Sequence, residues 1–316
     1  MGIVSALYKK YVVRRYDDDG VIKYYTHEDF PGLNAEPIEF TTPQGILIKG
    51  NIYSYDGADD GALVVFAHGI GGGHRSYMRE IERICREGRR VVGYDNAGCF
   101  ASGGESIRGL TESLNDLVAC IAWLRGQERF ADARVSVVGH SWGGYAAANI
   151  LNYRRDVSAV AAISCFVSVE AFLKAYLTGK TAFMRRGVYR FERMANPEFV
   201  DSCAVDAVKD TDAKVVFVHS RDDEVVPVSV GLDYLRARVD DPNVRFIELD
   251  GKKHNPHYTA DAVAYMNECF GKYNRLVAEK KLKTDDEKRE FSKDWDYFRM
   301  TEQDDAVWKE IFECIL

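Results

Sequence analysis

Short β-branched runs separated by stretches of helical spacing fill the middle of the chain. Leu63 to Ala67, Val91 to Tyr94, Val135 to Val138, Val157 to Ser164, Lys214 to His219 and Val244 to Leu249 each read as a strand. Between them lie a polar helical stretch from Ser76 to Glu87, a helix with Leu114, Leu117, Val118 and Ile121 at i, i+3, i+4 and i+7, and a small-residue helix from Trp142 to about Asn152. This alternation predicts parallel βαβ units, and so an α/β fold with a mostly parallel central sheet covered by helices on both faces. Upstream, Pro37 to Phe40 and Ile46 to Tyr53 alternate apolar and polar residues around Thr42-Pro43-Gln44-Gly45. That pattern predicts an antiparallel hairpin extending the sheet edge.

Three segments depart from the βα rhythm within a single domain spanning 1–316. Val4, Leu7, Tyr8 and Tyr11 form the stripe of an N-terminal helix within about 1–18, expected to pack on the domain. The interval of about 166–201 carries Phe166, Phe172, Tyr176, Phe183, Tyr189, Phe191 and Phe199 and reads as a small helical cap insertion. Those rings either glue the insert to the domain or line a substrate pocket. A helical extension of about 275–316 ends in the stripe Trp308, Ile311, Phe312 and Ile315, which needs a partner surface on its own domain, the cap or a second subunit. A homodimer contact would be sought there first.

Composition narrows the function classes. The 316 residues are 46% hydrophobic and carry 42 Lys+Arg against 49 Asp+Glu, a formal charge of −7. An acidic balance argues against a general nucleic-acid binder, which needs a broad basic face to displace counterions from phosphates. The first 20 residues have only short apolar runs among Lys and Arg, which do not make a signal peptide, and no apolar stretch approaches the ~20 residues of a bilayer span. Seven cysteines, with no Cys-x-x-Cys pair, predict buried structural thiols rather than a disulfide framework, and a cytoplasmic location. No stable membrane insertion is expected.

The strongest chemical signal is Gly139-His140-Ser141-Trp142-Gly143, which follows a predicted strand and opens a predicted helix. A sharp turn there exposes a serine hydroxyl at the top of the sheet, and the residues two before and two after it must be small. His68-Gly69-Ile70-Gly71-Gly72-Gly73 follows an earlier strand, where glycines let backbone N–H groups approach a developing oxyanion. The expected donors are the amides of Ile70 and Trp142, with Gly71 a neighbouring candidate. A phosphate loop is disfavoured, because no Lys-Ser or Lys-Thr pair follows and the spacing is not Gly-x-Gly-x-x-Gly.

With these motifs the sequence resembles the α/β-hydrolase superfamily over residues 37–272, including its esterase, monoglyceride-lipase-like and serine aminopeptidase-like branches. The resemblance implies a triad in the order nucleophile, acid, histidine. Ser220-Arg221-Asp222-Asp223-Glu224-Val225-Val226-Pro227 looks like the family's acid turn and selects Asp223, with Asp222 chosen by a one-residue slip. His254, in Asp250-Gly251-Lys252-Lys253-His254-Asn255, matches the family's histidine loop, and His257 is expected at the surface or behind it. The resemblance thus implies a serine hydrolase of small-molecule carboxylic esters, with no cofactor and no metal. Acyl thioesterase, serine aminopeptidase and inert binding protein are the alternatives. The loop Tyr94 to Gly103 departs from the commonest family pattern, and the cap cations Lys174, Lys180, Arg185, Arg186, Arg190 and Arg193 would attract an anionic substrate or merely form a solvated face. The cap aromatics and Trp142 are candidates to hold an acyl group.

Overall fold

In a computed structural model, which describes residues 3–316, eight strands form one sheet: β1 (Asn34–Thr41), β2 (Leu47–Ser54), β3 (Asp59–Ala67), β4 (Arg89–Tyr94), β5 (Arg134–His140), β6 (Val157–Ile163), β7 (Lys214–Ser220) and β8 (Val244–Leu249). Their order is β1-β2-β4-β3-β5-β6-β7-β8. The β1/β2 hairpin is antiparallel, with Ile38 opposite Gly50, and β2 joins β4 antiparallel, while β4, β3, β5, β6, β7 and β8 are mutually parallel. The helices are α1 (Ile3–Tyr11), α2 (Met78–Arg86), α3 (Glu112–Arg125), α4 (Trp142–Asn149), α5 (Val169–Tyr176), α6 (Arg185–Ala195), α7 (Ala204–Ala207), α8 (Leu232–Arg236), α9 (Ala260–Ala278), α10 (Asp285–Ser292), α11 (Tyr297–Met300) and α12 (Asp305–Ile315).

Strand residues alternate between two cores, which is why the parallel strands read as unbroken apolar runs. Leu63, Val65, Val135, Val137, Val160 and Phe217 join Leu114, Leu117, Ile121 and Tyr145 of α3 and α4 on one face. Val64, Phe66, Val138, Ala161, Ile163, Val216 and Val218 face the other way, onto Ile81 and Ile84 of α2 and Trp308 and Ile311 of α12. The C-terminal stripe therefore finds its partner on its own sheet. Ser136 Oγ donates to the Ile315 carbonyl at 2.9 Å, and Trp308 is fully buried.

The predicted polar helix begins two residues early as a 3-10 turn, His74–Tyr77, before α2 proper. α1 is shorter than the predicted 1–18. Met1 and Gly2 lie outside the described residues, and beyond Tyr11 the chain turns extended, bridging Tyr16 to Cys99. Only part of its stripe is covered: Tyr8 is buried against Phe191 of α6, while Leu7 and Tyr11 are exposed. Six of the seven cysteines are buried, and all are free.

Candidate active site

The turn from β5 into α4 places Ser141 at φ +59° and ψ −113°, a backbone conformation that a non-glycine residue holds only when its surroundings enforce it. Its neighbours explain the enforcement. A Cβ on Gly139 would stand 2.2 Å from the Gly143 carbonyl oxygen, and one on Gly143 would stand 2.0 Å from that of Ala67. Strand and helix can approach this closely only with glycine at both positions, and the Ser141 N–H is held by the Ile163 carbonyl at 2.9 Å. Trp142 opens α4, so its N–H is among those that a helix start leaves without an intrahelical acceptor.

The glycine loop after β3 lies against this turn. A Cβ on Gly69 would be 3.5 Å from the Ser141 Cβ, and Gly71 uses φ +90°. Below the loop, His68 Nε2 accepts the Asn96 N–H at 2.9 Å while its Nδ1–H donates to the Gly69 carbonyl at 2.8 Å. Burial pulls the His68 imidazole down to about 4, which keeps it neutral in this role. The divergent loop after β4 is organised by Asp95. Its carboxylate accepts His74 Nδ1–H at 2.7 Å, the His74 N–H at 2.8 Å and the Ala101 N–H at 3.1 Å. Burial alone would raise that carboxyl, but the adjoining His74 outweighs it and holds it near 2.

The two aspartates after β7 divide their work. Asp223 Oδ2 lies 2.8 Å from His254 Nδ1, and its Oδ1 accepts the N–H groups of Val225 and Val226 at 2.9 and 2.8 Å. His219 Nε2 stands 3.3 Å from Oδ2. Burial pushes the Asp223 carboxyl up, yet hydrogen bonds from His219 and His254 hold it well below the usual carboxylate range. Asp222 instead accepts the Ser220 hydroxyl at 2.5 Å and the Lys253 N–H at 3.0 Å, steadying the backbone that carries His254. The one-residue slip to Asp222 is therefore excluded as the histidine's partner.

The His254 ring sits 4.8 Å from that of His140, the residue before Ser141. The structure thus brings Ser141, His254, Asp223 and the Gly69-Ile70 loop to one end of the parallel strands, although no hydrogen bond of the Ser141 hydroxyl forms among the described residues. Such contacts commonly tighten only when substrate is bound.

One expectation changes and two alternatives are decided. His257 is not at the surface: it is fully buried, with Nε2 at 3.1 Å from Glu80 Oε1, because the loop after His254 turns inward under α2. Trp142 cannot hold an acyl group, since its indole is buried and donates to the Leu110 carbonyl at 2.5 Å. The next step of that path is the Leu110 N–H, which donates to Glu192 of α6, and Glu192 also accepts the Tyr8 hydroxyl of α1. Three of the seven cap rings act as glue. Phe166 stacks on Tyr145 at 4.5 Å, Phe199 meets Tyr153 at 4.8 Å and Phe191 meets Tyr8 at 5.6 Å. Among the cap cations, Lys174 pairs with Glu170, Arg193 with Asp201, and Arg185 donates to the carbonyls of Leu177 and Lys174.

Sequence reasoning passed over Tyr77 and His140. Tyr77 Oη accepts the Gly69 N–H at 3.1 Å and lies 2.9 Å from His140 Nδ1, and His140 Nε2 reaches the His254 carbonyl at 2.8 Å. The one local cue was a histidine inside the serine motif. Among the described residues there is no cluster of three or more metal-ligating side chains, and no helix is long and apolar enough to cross a membrane.

Residues 58–204, from the start of β3 into α7, match the family model described as serine aminopeptidase, S33; the match includes Ile70, Ser141 and Trp142 but stops short of Asp223 and His254. The esterase Pf2001 of Pyrococcus furiosus superposes with a TM-score of 0.58 at 19% identity, covering 87% of this chain and 97% of that one. The α/β hydrolase GrgF from Penicillium sp. sh18 gives 0.52 at 14% identity, over 82% and 99% of the two chains. A 2,6-dihydroxy-pseudo-oxynicotine hydrolase gives 0.53 at 16% identity, over 70% and 62%. No curated protein sequence matches the chain significantly. Eight strands in this order, the serine turn between β5 and α4 and these shared architectures give the chain the α/β-hydrolase fold, and its segment 58–204 is similar to the serine aminopeptidase family.

Proposed function

We propose that the chain is a serine hydrolase of small-molecule carboxylic esters. The observation that carries this reading is the strained Ser141 turn set beside a histidine whose Nδ1 is held by a buried carboxylate at 2.8 Å. His254 Nε2 takes the Ser141 proton as Oγ attacks the ester carbonyl, and the backbone N–H groups of Ile70 and Trp142 receive the oxyanion. Collapse breaks the C–O bond, and His254 returns the proton to the departing alcohol. Water, deprotonated by the same imidazole, then cleaves the acyl-enzyme and restores Ser141. Asp223 fixes the His254 tautomer and stabilises the imidazolium that forms. The serine supplies the covalent intermediate, so this chemistry calls on no metal or organic cofactor.

An aminopeptidase would need a carboxylate free to grip a substrate ammonium. The carboxylates around the site are already engaged: Asp223 by His254, Asp222 by Ser220 and Lys253, and Glu80 by His257 and Tyr258. The deciding experiment measures hydrolysis of a p-nitrophenyl ester series and matched acyl thioesters by the protein and by Ser141→Ala, alongside labelling with a fluorophosphonate. Turnover and labelling that vanish with Ser141 support the reading, and the series separates ester from thioester preference. An unmodified protein inert to every ester and to the probe sinks it.

A further inference from the structure

The buried contacts of Tyr77 and His140 form a series with a single direction. The Gly69 N–H can only donate and the His254 carbonyl can only accept, so the hydrogens between them are fixed. Gly69 donates to Tyr77 Oη, Tyr77 O–H donates to His140 Nδ1, and His140 Nε2–H donates to the His254 carbonyl, over 3.1, 2.9 and 2.8 Å. Only one neutral tautomer of His140 satisfies both ends. A protonated His140 would offer two donors and leave the Tyr77 hydroxyl without its acceptor. Burial, together with the neighbouring His254 and His257 rings, keeps the His140 imidazole well below its ordinary value, and burial raises the Tyr77 phenol, so both stay neutral. Tyr77 is itself wedged against Phe66 at 5.1 Å between ring centroids, and a Cβ on Gly69 would come within 2.5 Å of its hydroxyl.

We propose that Tyr77 and His140 are positioning residues that lock the oxyanion loop and the His254 backbone to one another across the nucleophile turn. The Gly69 peptide precedes the Ile70 N–H, His140 precedes Ser141, and the His254 carbonyl belongs to the residue that moves the proton. One path of three hydrogen bonds therefore sets the relative placement of donor, nucleophile and base. Ser164 Oγ donates to the same His254 carbonyl at 3.0 Å and anchors that end from β6. The catalytic use of this placement rests on the hydrolase reading, whereas the hydrogen-bond series itself does not.

Two measurements test it. In the unmodified protein, long-range ¹H–¹⁵N NMR is expected to show His140 as the Nε2–H tautomer, uncharged from pH 5 to 9, and an Nδ1–H tautomer or a titration in that range overturns the proposal. In kinetics, Tyr77→Phe is expected to lower kcat about tenfold to a hundredfold, the range of one misplaced oxyanion donor, with KM changed less than about twofold. His140→Leu, which can neither accept from Tyr77 nor donate to the His254 carbonyl, should lose a similar factor. The double variant should lose no more than the worse single one, because both break one series. Unchanged kcat in Tyr77→Phe, or losses that multiply in the double variant, overturn it. Should Tyr77→Phe fail to fold, the tautomer of the unmodified protein still decides. An inactive unmodified protein with the expected tautomer would count against the hydrolase reading alone.

Discussion

Two acid–imidazole pairs flank His140, built from histidines three residues apart, and they differ in what each leaves free. His254 and His257 place their rings 4.8 and 5.0 Å from that of His140. His254 gives Nδ1 to Asp223 and keeps 16% of its side chain exposed, so Nε2 is available to a reactant. His257 gives Nε2 to Glu80 with none of its side chain exposed, and its Nδ1 has no partner among the described residues. Tyr258 adds its hydroxyl to the same Glu80 oxygen at 2.6 Å, which closes that pair inside the fold. A carboxylate beside an imidazole is thus not itself a catalytic signature. The second nitrogen and its access decide whether the pair works on a substrate or holds the interior together.

The sharpest break in this contrast comes from His254→Ala, expected on the proposed reading to cost on the order of 10⁶-fold in kcat on an activated ester, the scale of losing the catalytic histidine of a serine hydrolase. Ser141→Ala should match it, and residual activity within tenfold of the unmodified protein in either variant would remove the contrast altogether. Asp223→Asn should cost on the order of 10⁴-fold, because the amide favours the wrong His254 tautomer. Steady-state rates together with a melting curve separate this loss from unfolding. His257→Ala should do the opposite: kcat within about threefold, but stability in urea lower by about 1–3 kcal/mol, since the buried Glu80 keeps only the Tyr258 hydroxyl. A rate loss comparable to that of His254→Ala would show that the two pairs are not distinct.

The smallest effect concerns Glu192, the cap carboxylate behind Trp142. Burial pushes its carboxyl up from 4.5 to about 7, against lowering contributions from the hydrogen bonds of Tyr8 and Leu110. A carboxyl raised in the fold binds its proton more tightly folded than unfolded. Its contribution to stability therefore falls as pH climbs through that window. Glu192→Gln should raise Tm by a few degrees at pH 8 and change it little at pH 5, and a pH-independent shift would contradict this account.

Much of this was legible in the sequence because the relevant signals are local. The parallel strands announce themselves as apolar runs, and Gly139 and Gly143 mark a turn that sterics require. Asp223 and His254 stand at the ends of β7 and β8, where chain order and the family resemblance point to them, and the structure joins them. What stayed hidden depends on which way a side chain turns after the backbone is set. Trp142 follows the nucleophile yet buries its indole toward Leu110, and His257 looks like a loop residue yet turns under α2. Tyr77 and His140 are 63 positions apart, and no periodicity relates them. The stripe on α12 was plain, but its partner was not, because any apolar surface would have satisfied the pattern.

That partner surface has a consequence for how the protein is made. The second core of the sheet takes in Val64 and Phe66 of an early strand, but it is sealed by Trp308 and Ile311, and Trp308 lies 59 residues beyond the last residue of β8. During synthesis, every strand is therefore out of the ribosome before the helix that covers that face. For several seconds at ordinary elongation rates, the nascent sheet shows bare Val216, Val218, Ala161 and Ile163 to chaperones or to neighbouring chains. That face is roofed only once α12 has been made, and a ribosome that stalls within the charged stretch from Lys280 to Glu290 leaves an adhesive, half-roofed chain.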